Sequence, residues 1–240
     1  MKAYITDSHL GQELKTENGI SYVNNPTAHT KNFEMILDDI AERGIHEIVF
    51  GGDIGSVEMN KWFFDVIAQR GLSLWMVLGN HDTFAEVSQY YREPANYIKE
   101  DVQFRYIILD TSDNKIDADR LNWVKQMLNT EKEIILFVHH PVLAIDTPIE
   151  QLGAALKDRD ELKAVLKSID KKVTVFCGHY HMIDEAEEDN IYQYTTPAVS
   201  YQIGKETADV EIDQTVYGYR IINTIGGEIT TELVLFLTQP

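Results

Sequence analysis

One cysteine, Cys177, stands in 240 residues, so no internal disulfide can form, and a lone thiol suits a reducing compartment. The expected localisation is cytoplasmic. Cations are also scarce: 21 Lys and Arg against 39 Asp and Glu leave a formal charge of −18, and no basic run of four or more occurs. Charge-driven binding of a nucleic acid polymer draws on clustered Lys and Arg, so no such partner is expected. No apolar run approaches the roughly 18 residues of a membrane span, and the start Met1-Lys2-Ala3-Tyr4-Ile5-Thr6-Asp7 lacks the long apolar stretch of a signal peptide. A soluble, unexported chain with no membrane partner is expected. Hydrophobic residues still make up 44%, which excludes disorder driven by charge and leaves enough for a sizeable core. With no linker, repeat or low-complexity tract, residues 1–240 read as a single domain.

Short apolar runs recur: Ala3 to Thr6, Ile48 to Phe50, Leu74 to Leu78, Ile134 to Val138 and Val173 to Cys177. Runs apolar on both faces read as buried strands. Between them the period becomes helical. Phe33, Ile36, Leu37, Ile40 and Ala41 precede Gly44, and Met59, Trp62, Phe63, Val66 and Ile67 precede Gly71. Two more helices are predicted at about 118–129 and 160–169. Alternating strands and helices imply an α/β core whose ligands bind at the carboxyl ends of the strands. From Ile191 the pattern becomes strand-like and ends in a predicted hairpin, Tyr219 to Asn223 with Glu228 to Leu237. This third would build part of a second sheet.

Each buried run is followed by polar residues able to bind metal: Asp7-Ser8-His9, Gly51-Gly52-Asp53, Gly79-Asn80-His81-Asp82, His139-His140-Pro141 and Gly178-His179-Tyr180-His181. One Asp-x-His carries little information, but five of the eight histidines fall immediately after predicted strands. Oxygen and imidazole donors suit borderline ions such as Mn, Fe and Zn, and the lack of a cysteine cluster argues against structural zinc. Two ions held about 3.5–4 Å apart need a bridging carboxylate. Asp53, alone on a glycine-flanked turn, is the natural candidate.

These five motifs, in this order over residues 7 to 181, resemble the calcineurin-like metallophosphoesterase superfamily. The resemblance implies an α/β fold, a four-layer α/β/β/α sandwich of two mixed sheets, with a two-metal site between the sheets. Carried over by position, it makes Asp7, His9, Asp53 and His181 ligands of one ion, and Asp53, Asn80, His139 and His179 ligands of the other. It places Asn80 and His81 at the substrate, His81 contacting the phosphate and aiding departure of the leaving oxygen, with Asp82 as its orienting partner. The implied chemistry is in-line attack on phosphorus by a hydroxide held between the ions.

Within the superfamily the sequence is similar to the class III, Icc-like cyclic-nucleotide phosphodiesterases, through the segment from His139 to His179 and the tail with Thr196-Pro197-Ala198 and Gly218-Tyr219-Arg220. A small phosphodiester, foremost a 3′,5′-cyclic nucleotide, is the implied substrate. The alternatives are a glycerophosphodiesterase, a broad phosphohydrolase, or an inactive interaction module of the same fold. The full ligand set and His81 speak against the last. A DNA nuclease would bring a basic face and a capping domain, and neither is visible. The resemblance also implies a homodimer as a possible assembly. Two departures from the pattern stand out. Ser56 occupies the place, three residues beyond Asp53, where the family carries Asp or Asn, and the Asp-Arg-Gly continuation of protein serine/threonine phosphatases is missing.

Outside the motifs the plainer readings prevail. His140 is expected to support the site without coordinating. His29, on a loop spanning 11–29, and His46 are expected on the surface, with Tyr22 and Asn24 as candidates for contacting a base or sugar. The five carboxylates within 184–189 read as a solvated hairpin tip. Trp62, Phe63 and Trp123 read as core.

Overall fold

The computed structural model describes residues 1–12, 26–207 and 209–238. Two mixed sheets carry the fold. The first runs β13(Thr230–Leu237), β12(Val216–Asn223), β1(Lys2–Ile5), β2(Glu47–Phe50), β3(Ser73–Met76). The second runs β4(Tyr97–Glu100), β5(Phe104–Leu109), β6(Glu133–Val138), β7(Val173–Cys177), β9(Ile191–Thr195), β8(Asp184–Glu188). A two-stranded ribbon, β10(Gln202–Ile203) with β11(Ile212–Asp213), stands apart. In the first sheet β1, β2 and β3 are parallel while β12 and β13 are antiparallel. In the second, β5, β6, β7 and β9 are parallel and the two outer strands antiparallel.

Period-2 alternation sorts side chains into three apolar layers. Ala3, Ile5, Ile48 and Phe50 face α1(Pro26–Glu42) and α2(Asn60–Gln69), meeting Phe33, Ile36, Leu37, Ile40, Phe63 and Ile67. Ile134, Leu136, Val138, Val173 and Val175 face α4(Ala118–Met127) and α5(Arg159–Leu166). The intervening positions, Tyr4, Val49, Ile135, Phe137 and Phe176, fill the space between the sheets. There Tyr4 stacks on Phe137 at 5.7 Å, and Phe137 on Phe176 at 5.7 Å. Each fully buried Phe or Leu contributes about 1.5–3 kcal/mol. The helix, sheet, sheet, helix layering is the one expected. Arg220, almost wholly buried, ties the two sheets by donating to Thr231 Oγ1 (2.8 Å) on β13 and to the Thr195 carbonyl (3.3 Å) on β9.

Gly44 and Gly71 end their helices in left-handed backbone, φ 68° and 66°, a conformation that costs glycine little. Other expectations change. The stretch ahead of Phe33 is helical from Pro26, so His29 lies in α1, buried, its ring against the His9 carbonyl at 3.0 Å. It is not a surface histidine. Tyr22 and Asn24 lie outside the described residues. The acidic run 184–189 belongs to the expected hairpin before Ile191, but most of it is edge strand β8, with only the turn after it at the tip. Lys205 pairs with Asp184, Lys163 and Lys167 with Glu188, and Lys167 with Asp189. Charge on an edge strand deters pairing with another chain. Strands β4 and β5 and the short α3(Phe84–Val87) are additions to the predicted elements. No helix among the described residues is long and apolar enough to cross a membrane.

Candidate metal centre

Strands β1, β2, β3, β6 and β7 each release one motif from their carboxyl ends. Three come from the first sheet and two from the second, so the motifs meet where the sheets adjoin. Backbone bonds knit the loops together within each sheet: Asp7 N–H to the Gly52 carbonyl at 2.9 Å and Gly178 N–H to the His139 carbonyl at 3.0 Å. Further bonds cross between the sheets. His139 Nδ1 meets the Gly51 carbonyl at 2.8 Å, and the His179 N–H donates to Asp7 Oδ2 at 3.0 Å.

The chain crowds here beyond what ordinary backbone allows. Eight non-glycine residues hold positive φ among the described residues, and five are Asp7 (55°), His9 (42°), Asp53 (62°), His179 (68°) and His181 (50°). Such conformations cost of order 1–3 kcal/mol each and persist where the surroundings over-determine them. Gly79 shows the tightness. A Cβ there would overlap Asp53 Oδ1 and the Asp53 backbone nitrogen. Gly79→Ala should therefore displace the Asp53 carboxylate and lower turnover about 10²-fold, with the melting temperature showing that the chain still folds.

All seven expected ligands are brought together. Asp7, His9 and His181 form one group of donor atoms within 4.8 Å of one another, and Asp53, His139 and His179 another. Asp53 Oδ2 reaches both, 3.6 Å from His9 Nε2 and 3.4 Å from His139 Nε2. Asn80 Oδ1 lies 3.2 Å from His139 Nε2, and His181 Nε2 lies 3.4 Å from Asp7 Oδ1.

Whether these donors suit cations is decided by their outer nitrogens. His139 Nδ1 faces the Gly51 carbonyl, His181 Nδ1 the Tyr201 carbonyl (3.0 Å), His179 Nε2 the Ala154 carbonyl (2.9 Å) and His9 Nδ1 the Gln12 Oε1 (2.9 Å). A carbonyl can only accept, so each ring gives its proton outward and turns a lone pair inward. The inward Nε2 atoms of His9 and His181 then stand 3.1 Å apart. Two lone pairs at that distance repel, and a cation bound by both nitrogens removes the repulsion. The residues present fit metal.

The electrostatics agree for His9 and His179. Burial pushes His9 down to about 4, and burial with the charge of His139 pushes His179 down to about 3, leaving both neutral and able to ligate. Burial opposes charge on His139 too, but the Asp53 carboxylate carries it up to about 9. Asp7 and Asp53 are buried, which would raise them, yet their histidine neighbours hold both well below the usual carboxylate range. A proton on His139 and a metal ion would thus contest the same Asp53 oxygen.

Asp82 departs from expectation. Its carboxylate does not orient the His81 ring. It accepts backbone N–H bonds from Asp53 (2.8 Å), Ile54 (3.0 Å) and Gly79 (2.9 Å), a set that clamps two site loops together. Burial and the nearby Asp53 charge push it up to about 7. His81 is exposed, its backbone N–H held by Asp53 Oδ1 at 2.8 Å. His140 is buried beside His179, ring centres 4.2 Å apart, with Nδ1 on Thr111 Oγ1 at 2.9 Å. Ser56, at the departure from the family pattern, donates its N–H to the Leu10 carbonyl at 2.8 Å. Three residues at the site were not foreseen: Gln12, Ser200, whose hydroxyl donates to the Asp7 carbonyl at 2.8 Å, and Tyr201, whose ring lies 4.4 Å from that of His181.

Known proteins place this geometry. A probable cyclic nucleotide phosphodiesterase of Fibrobacter succinogenes is 24% identical over 210 residues, 83% of this chain and 79% of that one. A probable glycerophosphodiester phosphodiesterase of Arcobacter nitrofigilis is 25% identical over 174 residues, 65% of this chain and 64% of that one. A dimetal phosphatase from Danio rerio shares the fold at a TM-score of 0.68 and 11% identity, over 99% of this chain and 98% of the other. Residues 2–197 match the model of the calcineurin-like phosphoesterase superfamily domain, and the chain belongs to that superfamily.

Proposed function

We propose that this chain is a dinuclear, metal-dependent phosphodiesterase for small diesters, with a 3′,5′-cyclic nucleotide as substrate. The observation that carries the reading is the set of four histidines whose outer nitrogens face oxygen acceptors and whose inner nitrogens converge on two carboxylates. Asp7, His9, Asp53 and His181 hold one ion, and Asp53, Asn80, His139 and His179 the other. Nitrogen and oxygen donors of this kind suit Mn, Fe or Zn. Bound there, the pair supplies a nucleophilic water at neutral pH and offsets charge on the phosphoryl oxygens.

The chain's own contribution is placement. Asp53 shares one oxygen between the two groups while its other oxygen holds the His81 backbone, so the ring that meets the phosphate is fixed to the carboxylate that spaces the ions. His81, at the exposed rim, donates to the phosphate as the leaving oxygen departs. His81→Ala is therefore expected to keep both ions, by metal analysis, and to lose about 10²- to 10⁴-fold in turnover. Parallel losses of metal and activity would remove that role from His81.

The relatives described above support a diester substrate and divide between cyclic nucleotides and glycerophosphodiesters. The test is turnover by Mn-loaded protein on cyclic AMP, cyclic GMP, glycerophosphodiesters and an aryl phosphodiester, with Asn80→Ala as control. Preference for a cyclic nucleotide is expected. Preference for a glycerophosphodiester replaces the substrate, and no hydrolysis of any diester with both sites filled removes the activity.

A further inference from the structure

A single amide side chain joins the metal group to the ring at the rim. Gln12 Oε1 lies 2.9 Å from His9 Nδ1, and Gln12 Nε2 lies 2.8 Å from His81 Nδ1. The rings themselves meet edge to face, 5.1 Å between centres. An amide has one accepting end and one donating end, so the state of one ring dictates what the other must present. To ligate through Nε2, which faces His181 Nε2 and Asp53 Oδ2, His9 must carry its proton on Nδ1. That proton goes to the amide oxygen. Only the amide nitrogen is then left for His81, and it donates to His81 Nδ1.

We propose that Gln12 is a positioning residue that fixes His81 as the tautomer protonated on Nε2, because its amide is oriented by His9 once His9 is a metal ligand. The inference rests on the metal-site reading above. Its consequence is that His81 presents an N–H to an anionic phosphoryl oxygen, where the other tautomer would present a lone pair and repel it. Asp82, occupied by three backbone N–H groups, leaves this task to Gln12. Hydrogen bonds that set a ring's tautomer and orientation in this way are a recurrent element of metal sites.

The test reads the tautomer directly. Zinc-loaded protein carrying ¹⁵N-histidine is examined by long-range ¹H–¹⁵N correlation, about two pH units above the ordinary histidine pKa of ~6.5. His81 is expected to show its proton on Nε2, and His9 on Nδ1. In Gln12→Glu a carboxylate can only accept, so both ions stay bound while the His81 proton moves to Nδ1. In Gln12→Leu the two His81 tautomers become mixed. Turnover of a diester should fall about ten-fold in kcat for either variant, the rate equivalent of one lost hydrogen bond, with KM and metal content little changed. A wild-type His81 protonated on Nδ1, or a His81 signal unmoved by Gln12→Glu with kcat retained, overturns the proposal. Should Gln12→Leu fail to fold, the near-isosteric Gln12→Glu decides alone. Wild-type protein that hydrolyses no diester overturns the phosphodiesterase reading, and the nitrogen spectra still judge the amide.

Discussion

Asp53→Ala is expected to lower turnover by on the order of 10³- to 10⁴-fold and to reduce bound metal from two ions to one or none per chain. Asp53 Oδ2 lies within 3.6 Å of His9 Nε2 and 3.4 Å of His139 Nε2, while Oδ1 accepts the His81 N–H at 2.8 Å. One substitution therefore removes the oxygen common to both donor groups and the anchor of the rim histidine. Metal chemistry at such a site is worth several kcal/mol of transition-state stabilisation, and each 1.36 kcal/mol is ten-fold in rate. The measurement is kcat/KM on an aryl phosphodiester beside metal content by elemental analysis. Activity within ten-fold of wild type would remove Asp53 from the bridging place. Asp53→Asn separates charge from shape, since it keeps the oxygen that anchors His81 and loses the full negative charge.

Asp82→Ala should act chiefly on stability. Three buried backbone N–H groups, those of Asp53, Ile54 and Gly79, lose their acceptor, and an unsatisfied buried donor costs about 1–3 kcal/mol. A total near 3–5 kcal/mol is expected, and for a chain of this size about 2–4 °C of melting temperature is lost per kcal/mol, so a fall of roughly 10 °C. Because the clamp joins the Asp53 loop to the Asn80 loop, weaker metal binding should accompany it. Asp82→Asn keeps an acceptor oxygen but turns an N–H₂ toward backbone donors, and should fall between. Loss of kcat with stability and metal content unchanged would return Asp82 to the role of partner for His81.

How these residues became visible in the sequence follows from their physics. The ligand motifs were legible because strands buried on both faces are nearly pure apolar runs, so a polar residue at the end of such a run stands out. The runs and the strand-like tail pointed to an α/β core with a second sheet, and the family resemblance supplied the four-layer arrangement. Strand β5 is as apolar as the others, yet Asp110 and Thr111 after it carry no metal-ligand pattern, so ligand motifs alone do not point to it. His29 lay hidden because α1 begins in a polar stretch, and its burial comes from packing near Tyr201, a residue distant in sequence. Asp82 is made the partner of its neighbour His81 by the family resemblance alone. In three dimensions its carboxylate turns to the backbone of another loop. A lone glutamine at position 12 had no pattern to mark it, since its meaning depends on two rings 69 residues and 3 residues away.

The pairing of the first strand with one of the last has a consequence for how the protein is made. β1 lies between β2 and β12, with Ala3 opposite Ile48 on one side and Ile221 on the other. During synthesis β1 and β2 can associate early, but the other edge of β1 stays open until Val216–Asn223 has left the ribosome. The last of the five motifs, at His181, also emerges late. Closure of this sheet thus waits for residues more than 200 positions beyond β1, and such long-range pairing is intrinsically slow. A chain stopped before Val216 would carry every residue of the proposed site on a sheet with an unpaired edge, a species suited to aggregation more than to catalysis.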